Sequence, residues 1–284
     1  MIQFIKYRNI CYGATIAAFL GGLLFYVFVS GFNYHIDFAG GTELRLLFEK
    51  PVEISALRDA VKDKQFSDAT IQTLGSEKRE YIVRVGFDEH DVENRFVADI
   101  APVFTDNALK ILSIDRVGAE AEKEVKWNAF KAVVLSLLLL LLYLAVRMQY
   151  AYGVGAVVAL AHDLLVVMLF ILVTRQPISL SVLGAVLAIL GYSVNDTIII
   201  FSKIKDNLIA HRHESSEVII DLSINQVLRR TILTSLSTLL SVLSLLILGG
   251  EVLHSFSAVM AVGIVAGTYS SIYIASPIMM AMKS

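Results

Sequence analysis

Asp196 stands in the run Gly191-Tyr192-Ser193-Val194-Asn195-Asp196-Thr197, a polar insertion within an apolar stretch from Ile178 to Phe201. A stretch of that length reads as a membrane span, where a central carboxyl costs about 2.5 to 3.5 kcal/mol on insertion scales. That cost must be offset, which makes Asp196 a candidate proton carrier and Asn195 beside it an accessory polar residue. Arg230 is the candidate base. It lies about 18 residues from the far end of the next span and Asp196 about 18 from the start of its own, so both fall about 27 Å below one membrane surface. Level on neighbouring antiparallel helices, the two can pair, and protonation would then be coupled to helix movement. Beside Arg229, Arg230 also fits an anchor that snorkels to lipid headgroups. Thr234, Thr238 and Ser241 follow it at helical spacing, which favours a hydrogen-bonded or hydrated stripe.

His162-Asp163 is a second ionisable site near the middle of another span. Successive helical side chains point about 100° apart, so one of the two faces the bundle, as a proton relay or brace or as a plain interhelical hydrogen bond. An intramembrane aspartyl protease would need two carboxyls sharing a proton. The depths of Asp163 and Asp196 differ by about 12 Å, and no Gly-x-Gly-Asp sequence is present. No phosphate-binding glycine loop or nucleophilic triad appears in the soluble segments. The expectation is a protein that is not an enzyme and uses neither metal nor cofactor.

The elements that hold these residues follow from hydropathy. With 56% apolar and 18% charged residues in 284, the chain is a polytopic membrane protein. A formal charge of −2 gives no reason to expect nucleic acid, and the single Cys11 excludes an internal disulfide or a cysteine zinc cluster. Six apolar stretches approach span length, at about 10–30, 127–146, 154–173, 178–201, 231–249 and 256–280. Lys6, Arg8, Arg147, Lys203, Lys205, Arg212, Arg229 and Lys283 all fall on one side. By the positive-inside rule both termini are cytoplasmic and residues 31–126 face outside. The loop at about 204–230 is mixed in polarity and reads as an amphipathic helix on the inner surface or a connecting helix packed on the bundle.

Residues 31–126 alternate strand and helix periods. Leu44, Leu46 and Phe48 share a strand face, and Ile54, Leu57 and Val61 a helix stripe. A strand at about 68–74 precedes one at 78–87 across a Gly75-centred turn, and in the second Tyr81, Val83, Val85 and Phe87 alternate with Ile82, Arg84 and Gly86. Val92, Phe96, Val97 and Ile100 mark a second helix before a last strand near 108–117. The order βαββαβ predicts a ferredoxin-like α+β sandwich. The chain thus divides into 1–30 (amino terminus and first span), 31–126 (outer domain) and 127–284 (spans two to six). Gly40 and Gly41 after Asp37 suit a tight turn into the first strand. Gly263, Gly267, Ser271 and Ala275, and Gly13, Ala17 and Gly21, form small-residue ridges that let helices approach closely.

These pieces stand in a familiar order: Asp37-Phe38-Ala39-Gly40-Gly41, Val117-Gly118, Ala161-His162-Asp163, the insertion around Asp196, Asn225-Gln226 leading to Arg230-Thr231 and Thr234-Ser235, and Gly267-Thr268-Tyr269-Ser270-Ser271. Over essentially its whole length the chain resembles the smaller partner in the SecD/SecF protein-export family, within the resistance-nodulation-division superfamily. The resemblance implies a multi-pass protein of the bacterial inner membrane, with residues 31–126 periplasmic. It implies pairing with SecD in a twelve-helix bundle, binding to the Sec translocon, and use of the proton gradient to draw preproteins outward through a lipid-embedded machine. The family residues linked to proton transport match Asp196 and Arg230. The chain departs from the usual pattern at Ser202-Lys203, where Asp-Arg is common, at His35 for Gly, and at Ala119 and Glu122 for Pro and Gly. Two other readings stand beside this one: a scaffold with no proton chemistry of its own, and half of a small-molecule or lipid exporter of the same superfamily.

Overall fold

The computed structural model describes residues 2–29, 31–62, 66, 69–75, 77–86 and 92–283. The chain forms two compact units, Met1–Asn33 with Phe130–Ser284, and Tyr34–Ala129.

The smaller unit holds β1 (Gly41–Phe48), β2 (Thr70–Leu74), β3 (Glu80–Val85) and β4 (Leu109–Val117), with helices α2 (Ile36–Ala39), α3 (Ile54–Lys62) and α4 (Val92–Ile100). The four strands make one antiparallel sheet in the order β2-β3-β1-β4. Alternation decides which face is covered: Leu44, Leu46, Phe48, Tyr81 and Val83 are buried against Leu57 and Val61 of α3 and Phe96 and Ile100 of α4. Phe87 and the expected strand start at 68 lie outside the described residues.

The paired glycines do what their position suggests. Gly40 and Gly41 have φ of +67° and +106°, and a side chain on Gly41 would run into the carbonyl of Val85. Gly41→Ala should therefore cost at least about 1–3 kcal/mol. In the full chain it should be read as a lower unfolding temperature and faster proteolysis of this domain. His35 caps α2 and also reaches Glu43, with Nε2 at 3.3 Å from the carboxylate, while Arg84 Nε lies 2.7 Å from it. Burial pushes the Glu43 carboxyl up, but hydrogen bonds and charge from His35 and Arg84 outweigh it and hold the group below its ordinary value of 4.5. A carboxyl held low stabilises the fold above that ordinary value, and the contribution disappears as pH falls through the lower folded value. Amide protection in β1, taken relative to the intrinsic exchange rate at each pH, should fall below about pH 4.5, and Glu43→Gln should flatten that dependence.

The larger unit is a bundle of α1 (Arg8–Phe28), α5 (Ala119–Arg147), α6 (Tyr150–Thr174), α7 (Leu180–Ala210), α8 (Ser216–Leu248), α9 (Gly250–Ser270) and α10 (Ser276–Lys283). Among the described residues six helical segments are long and apolar enough to cross a membrane, the last formed by α9 and α10 together. Ser179 after Pro177 caps α7, its hydroxyl accepting from the Val182 amide at 3.2 Å. Of the two readings of the segment at 204–230, packing on the bundle is the one seen: α7 runs on to Ala210, α8 starts at Ser216, and Ile220 and Ile224 are buried against Phe201 and Ile204. Two features differ from expectation. The sixth span is interrupted at Ser271–Ala275 by a wide π turn. Pro277 has no amide hydrogen to return to the Tyr273 carbonyl, and Ser276 Oγ donates to the Ser271 carbonyl at 3.0 Å. Finally, Gly13, Ala17 and Gly21 are exposed, and a Cβ added at Gly13 or Gly21 would meet nothing within 4 Å among the described residues.

Candidate functional site in the helix bundle

α7 and α9 pack close because Gly263 and Gly267 face Ile189 and Ser193. A side chain on Gly267 would come within 2.9 Å of Ser193 Cβ. The third ridge residue, Ser271, is buried and shares a 2.8 Å hydrogen bond with Thr197 of α7. This close approach brings the polar residues of the two helices into one layer.

Asp196 is 1% exposed. Its Oδ2 accepts from Ser235 Oγ of α8 at 3.1 Å, and Ser235 in turn shares a 2.8 Å hydrogen bond with Thr268 of α9. Its Oδ1 finds no partner among the described residues, and neither does the buried hydroxyl of Thr231, one turn from Ser235. An unpaired buried oxygen on an acid is costly, and proton binding is one way to satisfy it.

Arg230 does not form the expected ion pair with Asp196 among the described residues. It is exposed, though near enough for its charge to act on Asp196 through space. The carboxyl is level with Ser235, five positions and about 7 Å along α8 from Arg230. Levelling the two from hydropathic span ends missed this offset because the start of α7 and the end of α8 are staggered: Asp196 lies 16 residues past the start of α7, and Ser235, which it meets, lies 13 residues before the end of α8.

The polar stripe on α8 is likewise turned by one residue. Thr234 and Thr238 donate back to the carbonyls of Arg230 and Thr234, at 3.1 Å each, and so satisfy themselves. The face toward α7 carries Thr231 and Ser235 instead. Asn195 lies on the exposed side of α7, away from Asp196.

His162 and Asp163 are both buried, at 7% and 0% exposed. Asp163 Oδ2 accepts from Ser193 Oγ at 2.6 Å and Ser270 Oγ at 2.9 Å, and Oδ1 lies 3.1 Å from His162 Nδ1. Ser235, Thr268 and Ser270 were not singled out from the sequence as partners of the acids. Their only signal was a hydroxyl within one helical turn of a small residue or another hydroxyl.

The architecture and this acid layer define a multi-pass membrane protein with two buried carboxyl clusters. Residues 99–284 match the family described as protein export membrane protein SecD/SecF, C-terminal, and residues 25–52 match the SecD/SecF GG motif, which contains Gly40 and Gly41. The chain belongs to the SecD/SecF family of protein export membrane proteins. It is 36% identical to the protein translocase subunit SecF of Calditerrivibrio nitroreducens, over 92% of this chain and 88% of that one. With SecF of Pseudomonas aeruginosa it shares 33%, over 98% and 90%. The crystal structure of SecDF, a translocon-associated membrane protein from Thermus thermophilus, superposes with a TM-score of 0.89 at 35% identity. That match covers 99% of this chain but 38% of the SecDF chain.

Proposed function

We propose that this chain is the SecF-type subunit of a Sec protein-export complex. In it, Asp196 takes up and releases protons, and no bond of a substrate is made or broken. The family membership supports the export role, and the unpartnered Oδ1 of buried Asp196 carries the proton role. When ionised, the carboxylate holds Ser235 and feels Arg230. When protonated, it loses its attraction for the guanidinium, so the α7–α8 contact has two states that the proton gradient can bias. Arg230 serves as the counter-charge, reaching along α8 in one of those states.

The partner is SecD. Supporting this, the match occupies only part of a SecDF chain, and α7 presents Gly184, Ala188, Gly191 and Asn195 on its exposed side. Small residues with one amide at helical spacing suit close contact with another membrane helix. Both termini lie in the cytoplasm and residues 31–126 in the periplasm, a reading supported by the basic residues at the loops, and there the domain meets emerging preprotein. The translocon channel and the surrounding inner-membrane lipid complete the setting.

The test is gradient-dependent export by the reconstituted complex. Asp196→Asn should abolish the response to an imposed gradient, and an undiminished response rejects the proton role. A scaffold reading predicts that undiminished response, together with loss of export only in variants that fail to assemble.

A further inference from the structure

The His162–Asp163 cluster is separate from the Asp196 cluster: its partners are Ser193 and Ser270, whereas those of Asp196 are Ser235 and, through it, Thr268. Asp163 is fully enclosed and receives donors on both oxygens, an arrangement suited to an ionised carboxylate. No Lys or Arg pairs with it among the described residues, so His162 is the one neighbour able to supply a positive charge. An ionised carboxylate only accepts hydrogen bonds, so His162 Nδ1 carries the hydrogen that faces it. That leaves Nε2 as the basic nitrogen of the neutral ring. Nε2 lies 3.5 Å from Thr15 Oγ1 of α1, and the ring stacks on Tyr269 of α9 with centroids 5.7 Å apart. His162, Thr15 and Tyr269 form the polar end of an otherwise apolar cleft of about 620 Å3 between α1, α6, α8 and α9.

We infer that His162 and Asp163 form a second protonation site, filled from the cleft. A proton adds to Nε2 while Nδ1–H stays on Asp163, converting a lone buried negative charge into a neutral ion pair. The ring faces Thr15 and Phe19 of α1 and Tyr269 of α9, while the carboxylate faces the neutral Ser193 of α7 and Ser270 of α9. Beyond Tyr269 lie Tyr273 of the π turn and Cys11 of α1. Tyr269, Tyr273 and Cys11 are uncharged when protonated, so the uptake is balanced by Asp163 alone. The inference shares the membrane setting with the proposed function and does not require Asp196 to move a proton.

The experiment is a pH titration of the nitrogen-15-labelled histidines of the whole chain in lipid nanodiscs, with His162→Gln assigning the signal among the six histidines. His162 should become doubly protonated as the solution is acidified. Asp163→Asn should lower its proton affinity about tenfold or more. Ser270→Ala, a smaller change, removes one donor from the carboxylate and should raise that affinity. A ring that stays neutral at pH 5, or a midpoint unmoved in both variants, overturns the site. Asp196→Asn should leave the His162 titration in place, so failure of the export reading and failure of this one are read separately.

Discussion

Asp196→Asn should insert, fold and pair normally, yet lose all acceleration of export by a proton gradient. The substitution keeps the volume of the side chain and an oxygen able to accept from Ser235, so the α7–α8 contact is preserved. What it removes is the proton-binding oxygen that has no partner among the described residues. One charge crossing 100 mV is worth about 2.3 kcal/mol, roughly fifty-fold in an equilibrium, which sets the scale of the lost drive. The measurement is preprotein export into vesicles with and without an imposed gradient, on complexes of equal composition. If the ratio of the two rates matches that of the unsubstituted complex, Asp196 is not the coupling residue.

Two leucine substitutions on glycines of one bundle should fail in opposite ways. Gly267 faces Ser193, and even a Cβ there would stand 2.9 Å from that residue's Cβ. Leucine must push α7 and α9 apart, at about 1–3 kcal/mol for overpacking. It also displaces the hydroxyl that donates to Asp163 at 2.6 Å, leaving a buried carboxylate short of a partner at about 1–3 kcal/mol more. Gly267→Leu should thus lower the unfolding temperature of the chain in detergent and deplete it from membranes. Gly191 is exposed and has nothing within 4 Å of its Cβ position, so Gly191→Leu should leave that temperature unchanged. Its expected effect is loss of copurification with the partner subunit. A stable, fully assembled Gly191→Leu complex would show that this face of α7 is not the contact.

Much of this arrangement was legible in the residues, because hydropathy and period are strong signals. The six apolar helices, the strand alternation of Leu44, Leu46 and Phe48, and the turn at Gly40-Gly41 each follow from one local rule. What was hidden depends on rotation or on chain ends. One residue of phase is 100° on a helix, enough to exchange the inward pair Thr231 and Ser235 for the self-satisfied Thr234 and Thr238. Hydropathy reports where a helix leaves hydrocarbon, not where it stops, so the continuation of α7 to Ala210 and the early start of α8 at Ser216 escaped notice. Arg230 falls level with Asp196 only if the start of α7 and the end of α8 stand at one height, and the Asp196–Ser235 contact shows them staggered. The π turn before Pro277 was readable in principle from the proline, but its cost is spread over five residues that are each unremarkable in helix.

The length of α7 and α8 carries a consequence for motion. At 31 and 33 residues they measure roughly 46 and 50 Å, well beyond a hydrocarbon layer of about 30 Å. Past Asp196 the pair is riveted again, where the Asn207 amide donates to Ser223 Oγ at 2.8 Å and Gln226 Oε1 at 2.9 Å. With that rivet as fulcrum, release of Ser235 from Asp196 under the proposed function would leave the shared apolar cluster of Val182, Ala185 and Val242 as the α7–α8 contact toward the opposite tips.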